Sequence, residues 1–582
     1  MRILGLSALD TDATACLWNE GQWSAMGEER LSRVKQHAGF PRRAIQELLR
    51  RAKVELGAID AVVYPFMPWW VEGRRMAAGY LRDLPFALTN GDPLGQKFRH
   101  LKEYAKWCVR AVHYHRNYHR ELVNGLREIG LISKLHRIDH HHAHAAAAHL
   151  TSGFESSLAV TLDWYGGGLS GSVNRCTPQG IERLRSFRYP HSTGLFYAQV
   201  TKALGFKPSR HEGKIVGLAA YGDPKLLGEQ VLARWVRGNG DLRYRSGMDA
   251  SFVQQLAKQH TREDVAAAYQ HALEVIVTEL IEWWVAKTGI GNVTLAGGVA
   301  ANVKMNQRIA AGKGVRQVFI HPDMGDGGTG TGAVLAYLME RQPVRSEEWR
   351  TCFLGPAYSE AEMEASLRKA GLEPLRAEKG LRSVAEKLHA GKVVARFGGA
   401  MEYGPRALGN RSILYPAQDP TVNDWLNKRL ARSEFMPFAP VTLAEHAAAR
   451  YVGYERFRTA ARFMTITCDC TELMRKESPA AVHVDGTARP QVVTREENPD
   501  YYEILRHYHE LSGVPTLVNT SFNMHEEPIV CSPDDAVRAF LLGNLDYLSM
   551  GPFLVPFRED AGRRAEQAEK EKPMPRPVDA IA

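Results

Sequence analysis

"LAVTLDWYGGGLSGSV" (residues 158–173) runs an apolar stretch into an aspartate, three glycines and a second stretch of mixed residues. This reads as strand, acidic turn, strand. The same order opens the chain in "ILGLSALDTDATACLW" (3–18). There Ile3–Ser7 predicts a strand, Asp10-Thr11-Asp12 a turn and Ala13–Trp18 a second strand. Asn19-Glu20-Gly21 is a hairpin signal, with Gln22–Met26 returning. Two such openings predict a duplicated α/β unit, although the sequence identity between them is weak.

At 582 residues the chain is too long for one core. Its 44% hydrophobic and 24% charged composition is that of an ordinary globular protein. No apolar run reaches the roughly 20 residues that cross a bilayer, and "MRILGLSALD" lacks a signal-peptide core. The expectation is a cytoplasmic protein without membrane contact. The seven cysteines are scattered, and Cys468 and Cys470 lack the usual two-residue zinc spacing, so reduced, mostly buried thiols are expected. A net charge of +9 suits anionic substrates without demanding nucleic acid.

Residues 68–130 are helical, basic and aromatic in pattern, more in keeping with an amphipathic insertion than with a nucleic-acid surface. Such an insertion could also shape an acceptor pocket. Residues 261–288 predict a long core helix, opened by a Thr261/Asp264 box and closed by Gly289. Residues 340–349 form a polar linker candidate, a second α/β region follows to about Phe557, and 559–582 predicts disorder.

Chemistry concentrates in "DHHHAHAAAAHL" (139–150). On a helix, His140 and His144 share one face, about 40° off register at ~100° per residue. That spacing lets two imidazoles bind one metal, with small Ala143, Ala145 and Ala146 leaving room. Asp163 and Asp326 could complete the sphere, and a His₂-carboxylate set suits iron, manganese or zinc. His141 and His142 point elsewhere. The glycine clusters "GGGLSG" (166–171), "LAGGVAAN" (295–302) and "GDGGTGTG" (325–332) each follow an apolar run, which favours nucleotide binding over three separate tight turns.

In order along the chain stand "LGLSALDTDATACL", "EERLSRVKQHAGFP", "DHHHAHAAAA", "HEGKIVGLAAYG", "LAGGVAAN" and "GDGGTGTGA". They are followed by "MEYGPRALGNRSIL", "FMPFAPV", "HVDGTARPQVV" and "GVPTLVNTSFNMHEEPIV". This series resembles the O-carbamoyltransferases that act on antibiotics, nodulation factors and other sugars and polyketides. The resemblance covers nearly the whole chain apart from 68–130 and the tail. It implies an actin-like, sugar-kinase-like transfer domain over 1–345, related to the threonylcarbamoyl transferases. A YrdC-like α/β domain over 351–558 would follow.

The reaction it implies is formation of carbamoyl-adenylate from carbamoyl phosphate and ATP, then transfer to a hydroxyl of a small molecule or glycan. By motif, His140, His144, Asp163 and Asp326 become metal ligands, iron first, with magnesium accompanying ATP. Glu212, Lys214, Gly297, Gly298 and Asn302 would line the nucleotide. Arg406 and Arg411 resemble the carbamoyl phosphate and ATP contacts, and Arg489, Asn519, Ser521 and Asn523 match further binding positions. No nucleic-acid partner is implied, and a homodimer is compatible.

Three departures stand out. Thr11 occupies the place of a frequent histidine, so Asp12, Asp10 or His37 would serve as base, or none is needed. Trp164 and Gly167 replace a glycine and a carboxylate. Met436 stands where an arginine is common, with Lys428, Arg429 or Arg432 as substitutes. The weaker alternatives are a tRNA-modifying relative and a nucleotide-binding scaffold with an inactive transfer site.

Overall fold

The computed structural model describes residues 1–245, 247–430 and 435–570. Strands β1 (Arg2–Leu6), β2 (Thr14–Asn19) and β3 (Gln22–Gly27) form an antiparallel meander. Its turn places Glu20 and Gly21 both at positive φ, the requirement of a two-residue hairpin that follows strand twist. Strands β4 (Ala61–Tyr64) and β5 (Leu135–Arg137) add in parallel on the far side of β1, giving the order 3-2-1-4-5.

Helices α1 (Trp69–Thr89) and α2 (Leu94–Glu128) are inserted between β4 and β5, and α3 (His140–Leu150) follows β5. A second sheet then repeats the plan with β6 (Ser157–Gly166), β7 (Leu169–Thr177), β8 (Gly180–Arg188), β9 (Asn292–Ala296) and β10 (Gln317–Ile320). The first three strands are antiparallel, the last two parallel, in the same relative order. The duplication expected from the two strand–turn–strand openings is therefore present. Helix α4 (Arg262–Thr288) lies between β8 and β9, with the Thr261 hydroxyl accepting from the Asp264 backbone and Gly289 closing it at φ 73°.

Helix α5 (Thr329–Met339) follows β10 as α3 follows β5, and the two helices pack against each other. A Cβ at Gly332 would fall 2.0 Å from the Ala143 carbonyl and 3.0 Å from the Ala147 side chain. The alanines of 139–150 therefore face helix and sheet. They do not leave room around the histidines, because their size is set by this close approach.

The insertion is pinned by a buried carboxylate. Backbone N–H groups of Met248 and Tyr244 donate to Nδ1 of His100 and His191. Both rings therefore carry their proton on Nε2 and donate to Asp83, at 3.1 and 2.6 Å. Burial opposes ionisation of Asp83, but these two bonds outweigh it and hold its carboxyl well below the usual range.

A seven-stranded sheet carries the C-terminal region: β11 (Val394–Phe397), β12 (Arg411–Pro416), β13 (Ala439–Leu443), β14 (Gln491–Val493), β15 (Thr516–Ser521), β16 (Tyr547–Met550) and β17 (Phe553–Pro556), in the order 14-13-15-12-11-16-17. Residues between β13 and β14, among them Tyr451, Phe457 and Ile466, pack into the core of the second sheet. The segment 559–582, expected to lack structure, is corrected over its first part. Helix α6 (Glu559–Lys570) buries Ala561 and Gly562, and Arg538 pairs with its Glu569 at 2.6 Å. Residues 571–582 lie outside the described residues. Among the described residues all seven cysteines are free, and no helix is long and apolar enough to cross a membrane.

Gly332→Ala is expected to force α3 and α5 apart at a cost of about 1–3 kcal/mol, read as a lower urea midpoint. Asp83 contributes stability above its unfolded-state pKa that is lost as pH falls. Asp83→Asn should therefore flatten the acid limb of the stability–pH curve and expose the 69–128 helices to proteolysis.

Candidate active site and metal centre

Helix α3 begins at Asp139, whose side chain accepts from the His142 N–H and pairs with Arg75 and Arg183 at 2.6 and 2.5 Å. That cap fixes the first turn, from which His140 and His144 project on one face. Asp163 sits near the C-terminal end of β6, and Asp326 opens the turn that leads into α5. His140 Nε2 lies 3.4 Å from Asp163 Oδ2 and 3.6 Å from Asp326 Oδ1; His144 Nε2 lies 3.3 and 3.4 Å from the same atoms. All four ligand atoms fall within 4.8 Å of one another.

His144 Nε2 and Asp326 Oδ1 are buried without a hydrogen-bond partner. Two imidazole nitrogens and two carboxylate oxygens converging with such poor mutual geometry suit a cation between them better than they suit each other. The donor set fits a divalent metal. Burial disfavours charge on His144, yet Asp163 and Asp326 raise its pKa to about 9. His141 is instead a neutral core residue, pushed down to about 3 by burial and by its neighbours His140 and His144, and bonded to the Thr161 hydroxyl.

The metal cluster opens on a cavity of about 760 Å³. Asp12, Glu212, Lys214, Gly298, Asn302 and Arg406 line it, as do Thr11 and Trp164. Gly297 supports it from behind. Its φ is 94°, and a Cβ there would fall 2.1 Å from the Leu162 carbonyl. Asn302 caps the following helix, accepting from Met305 N–H at 3.0 Å, and is bonded to Gln270.

His37, a candidate base, is not among the cavity-lining residues. Asp12 is, at φ 50°, with its carboxyl raised to about 8 by burial and by Glu29 and Asp323. Asp10 rises to about 6 through burial and Asp326, and accepts from Thr11 N–H. Asp10, Asp323 and Glu402 belong to this cavity wall too. Asp10 is already a candidate base, whereas the types of Asp323 and Glu402 alone would not single them out among 65 acidic residues.

The C-terminal motif reaches the same cavity. Glu402 is buried and accepts from the backbone N–H groups of Leu408, Asn410 and Arg411, which folds 402–411 into a tight loop. Tyr403 donates to the Gly327 carbonyl at 2.9 Å, beside the metal ligand Asp326, and Arg30 donates to the Gly404 carbonyl. Arg406 faces the cavity.

Arg411 requires a correction. It is fully buried, donates to the carbonyls of Gly398, Asn410 and Pro356, and stacks 3.8 Å over Phe397. With its Nη groups engaged by backbone it braces the loop instead of meeting phosphate. Asn519 is likewise buried, donating to Ala407 and Gln491, and Asn523 holds its own turn through Glu527. Arg489 and Ser521 are partly buried and lie away from the cavity lining. Arg432 lies outside the described residues.

The carbamoyltransferase N-terminus family model matches residues 2–335, and the carbamoyltransferase C-terminus model matches 385–556. The chain belongs to the carbamoyltransferase family. Nodulation protein NolNO of Sinorhizobium fredii is 32% identical, covering 94% of this chain and 79% of its own. An uncharacterised protein of Synechocystis is 31% identical over 98% of this chain and 99% of its own. Full-length HypF, in a phosphate- and nucleotide-bound form, aligns with 59% of this chain and 56% of its own at 14% identity and a TM-score of 0.32, too low to bear on the site's chemistry. The N-terminal family match contains all four residues of the buried cluster, and the C-terminal match contains the Glu402–Arg406 loop.

His144→Ala and Asp163→Asn are each expected to weaken divalent-metal binding by at least about 10–100-fold, since even outer-shell losses cost that much. Metal content by plasma mass spectrometry after dialysis checks this.

Proposed function

We propose that this carbamoyltransferase is ATP-dependent and carbamoylates a hydroxyl group of a small metabolite or glycan, acting in the cytoplasm. One observation carries the reading. Residues of the C-terminal motif, Glu402–Arg406, and of the N-terminal metal cluster line one continuous cavity. A labile intermediate made at one end can react at the other without entering solvent.

In the first step water cleaves carbamoyl phosphate to carbamate and inorganic phosphate, and the carbamate attacks the α-phosphorus of ATP, whose magnesium travels with it. Pyrophosphate leaves and carbamoyl-adenylate forms in the YrdC-like C-terminal region, with Arg406 as phosphate contact. In the second step the acceptor oxygen attacks the carbamoyl carbon and AMP departs. The anhydride makes this feasible, because carbamate itself is a poor electrophile. Glu212, Lys214, Gly298 and Asn302 hold the nucleotide portion beside the cluster. A divalent ion there, iron ahead of manganese or zinc, would stabilise negative charge on the departing phosphate. The four intact ligands speak against an inactive scaffold.

Labelled pyrophosphate should enter ATP only when carbamoyl phosphate is present, and Arg406→Ala should lower that exchange by at least about tenfold, the value of one charged contact of about 1.4 kcal/mol. Exchange requiring bicarbonate and threonine instead would assign the threonylcarbamoyl reaction. No exchange from protein that binds ATP would overturn the adenylate step.

A further inference from the structure

Thr11 leaves the cavity without a histidine on the first turn, yet the inserted helices bring one in. His115 of α2 lines the cavity, and its Nδ1 lies 2.7 Å from Glu72 Oε2 of α1. Glu72 is 1% exposed, and neither of its oxygens has a hydrogen-bond partner in standard geometry, so the His115 ring is the polar group set against it. A buried carboxylate left in that state is costly unless the neighbouring ring answers it. The Phe66 ring is 5.5 Å from His115 and 4.6 Å from the metal ligand His140, so a single aromatic ring separates the two imidazoles. Asp10, next to Thr11, lies within electrostatic reach of His115.

Two other histidines face the cavity. His119 accepts from Arg137 at Nδ1, and His211 accepts from Lys207 N–H while its Nε2 lies 3.5 Å from the half-exposed Glu526. Neither is backed by a buried carboxylate. The Glu72–His115 contact sets a buried carboxylate behind a cavity-lining imidazole, and a small turn of the ring would make it the hydrogen bond that holds a base in one tautomer.

We propose that His115, oriented by Glu72, is the base that takes the proton from the acceptor hydroxyl during carbamoyl transfer. The inference rests on the hydroxyl-acceptor reading above. With its proton on Nδ1, facing Glu72, the ring offers Nε2 to the acceptor. The acceptor O–H proton passes to Nε2 as its oxygen bonds to the carbamoyl carbon. The bond from that carbon to the AMP oxygen breaks, and AMP leaves with the electron pair. Glu72 is a positioning residue.

Carbamoylation of glycerol, a minimal hydroxyl acceptor, would be compared with that of hydroxylamine, which attacks without prior loss of a proton. In His115→Ala the glycerol-to-hydroxylamine rate ratio should fall by about 100-fold or more, and added imidazole should restore part of it. In Glu72→Gln the ratio should fall less, with kcat affected more than KM, and Glu72→Asp should recover some of the loss. A ratio unchanged in His115→Ala overturns the proposal.

Nitrogen-15 shifts of the His115 ring give an arm that needs no acceptor. The neutral ring should carry its proton on Nδ1 in the wild type and revert towards the commoner Nε2 form in Glu72→Gln. A wild-type ring protonated on Nε2 with bare Nδ1 overturns the proposal. Failure of pyrophosphate exchange in the wild type would count only against the adenylate step.

Discussion

The site depends on how closely α3 approaches α5. Each helix follows the last strand of one half of the duplication, and each carries ligands at its entrance: His140 and His144 on α3, Asp326 on the turn before α5. Bulkier residues at the crossing would separate the helices by more than a metal sphere can span, since metal–ligand distances tolerate only tenths of an ångström. Gly332 against Ala143 is therefore as necessary to the centre as the ligands are. The duplication explains why the four side chains converge from two halves: each half contributes one helix entrance to the same point.

That turn is also gripped by the first half of the duplication and by the C-terminal loop. Thr14 of β2 and Tyr403 of the C-terminal loop both donate to the Gly327 carbonyl, at 2.6 and 2.9 Å. Glu402, one residue earlier, organises the loop that presents Arg406. A displacement of the loop during chemistry at its end would thus be felt one residue from a metal ligand. The two active regions share hydrogen bonds as well as a cavity.

The strand–turn–strand openings, the core helix and the shared face of His140 and His144 were legible in the sequence because each is local or periodic, whereas Asp163 and Asp326 join that pair only through the fold. The role of Arg411 was not, since its partners are backbone carbonyls at 356 and 398 that no side-chain pattern marks. Composition suggested disorder for 559–570, but Arg538 and two small buried residues give that polar helix a tertiary anchor. Alanines after a histidine run read as space for a ligand, whereas helix–helix contact sets their size. Glu72 and His115 stand 43 residues apart on two helices, a separation without a motif, and only the packing of α1 on α2 joins them.

The polarity of the cavity follows from the same packing. Asp10, Asp12 and Asp323 crowd one wall with the ligands Asp163 and Asp326. Burial together with mutual repulsion raises the first three to about 6, 8 and 7. Lys35, Arg210, Lys214 and Arg406 belong to the same lining. A phosphate placed against these carboxylates would meet repulsion unless positive charge had reached them first. His115 lines the same cavity from the inserted helices. An insertion anchored by Asp83 can vary in its cavity-facing residues without disturbing the two helix entrances, which leaves the acceptor side free to diverge while the metal geometry is preserved.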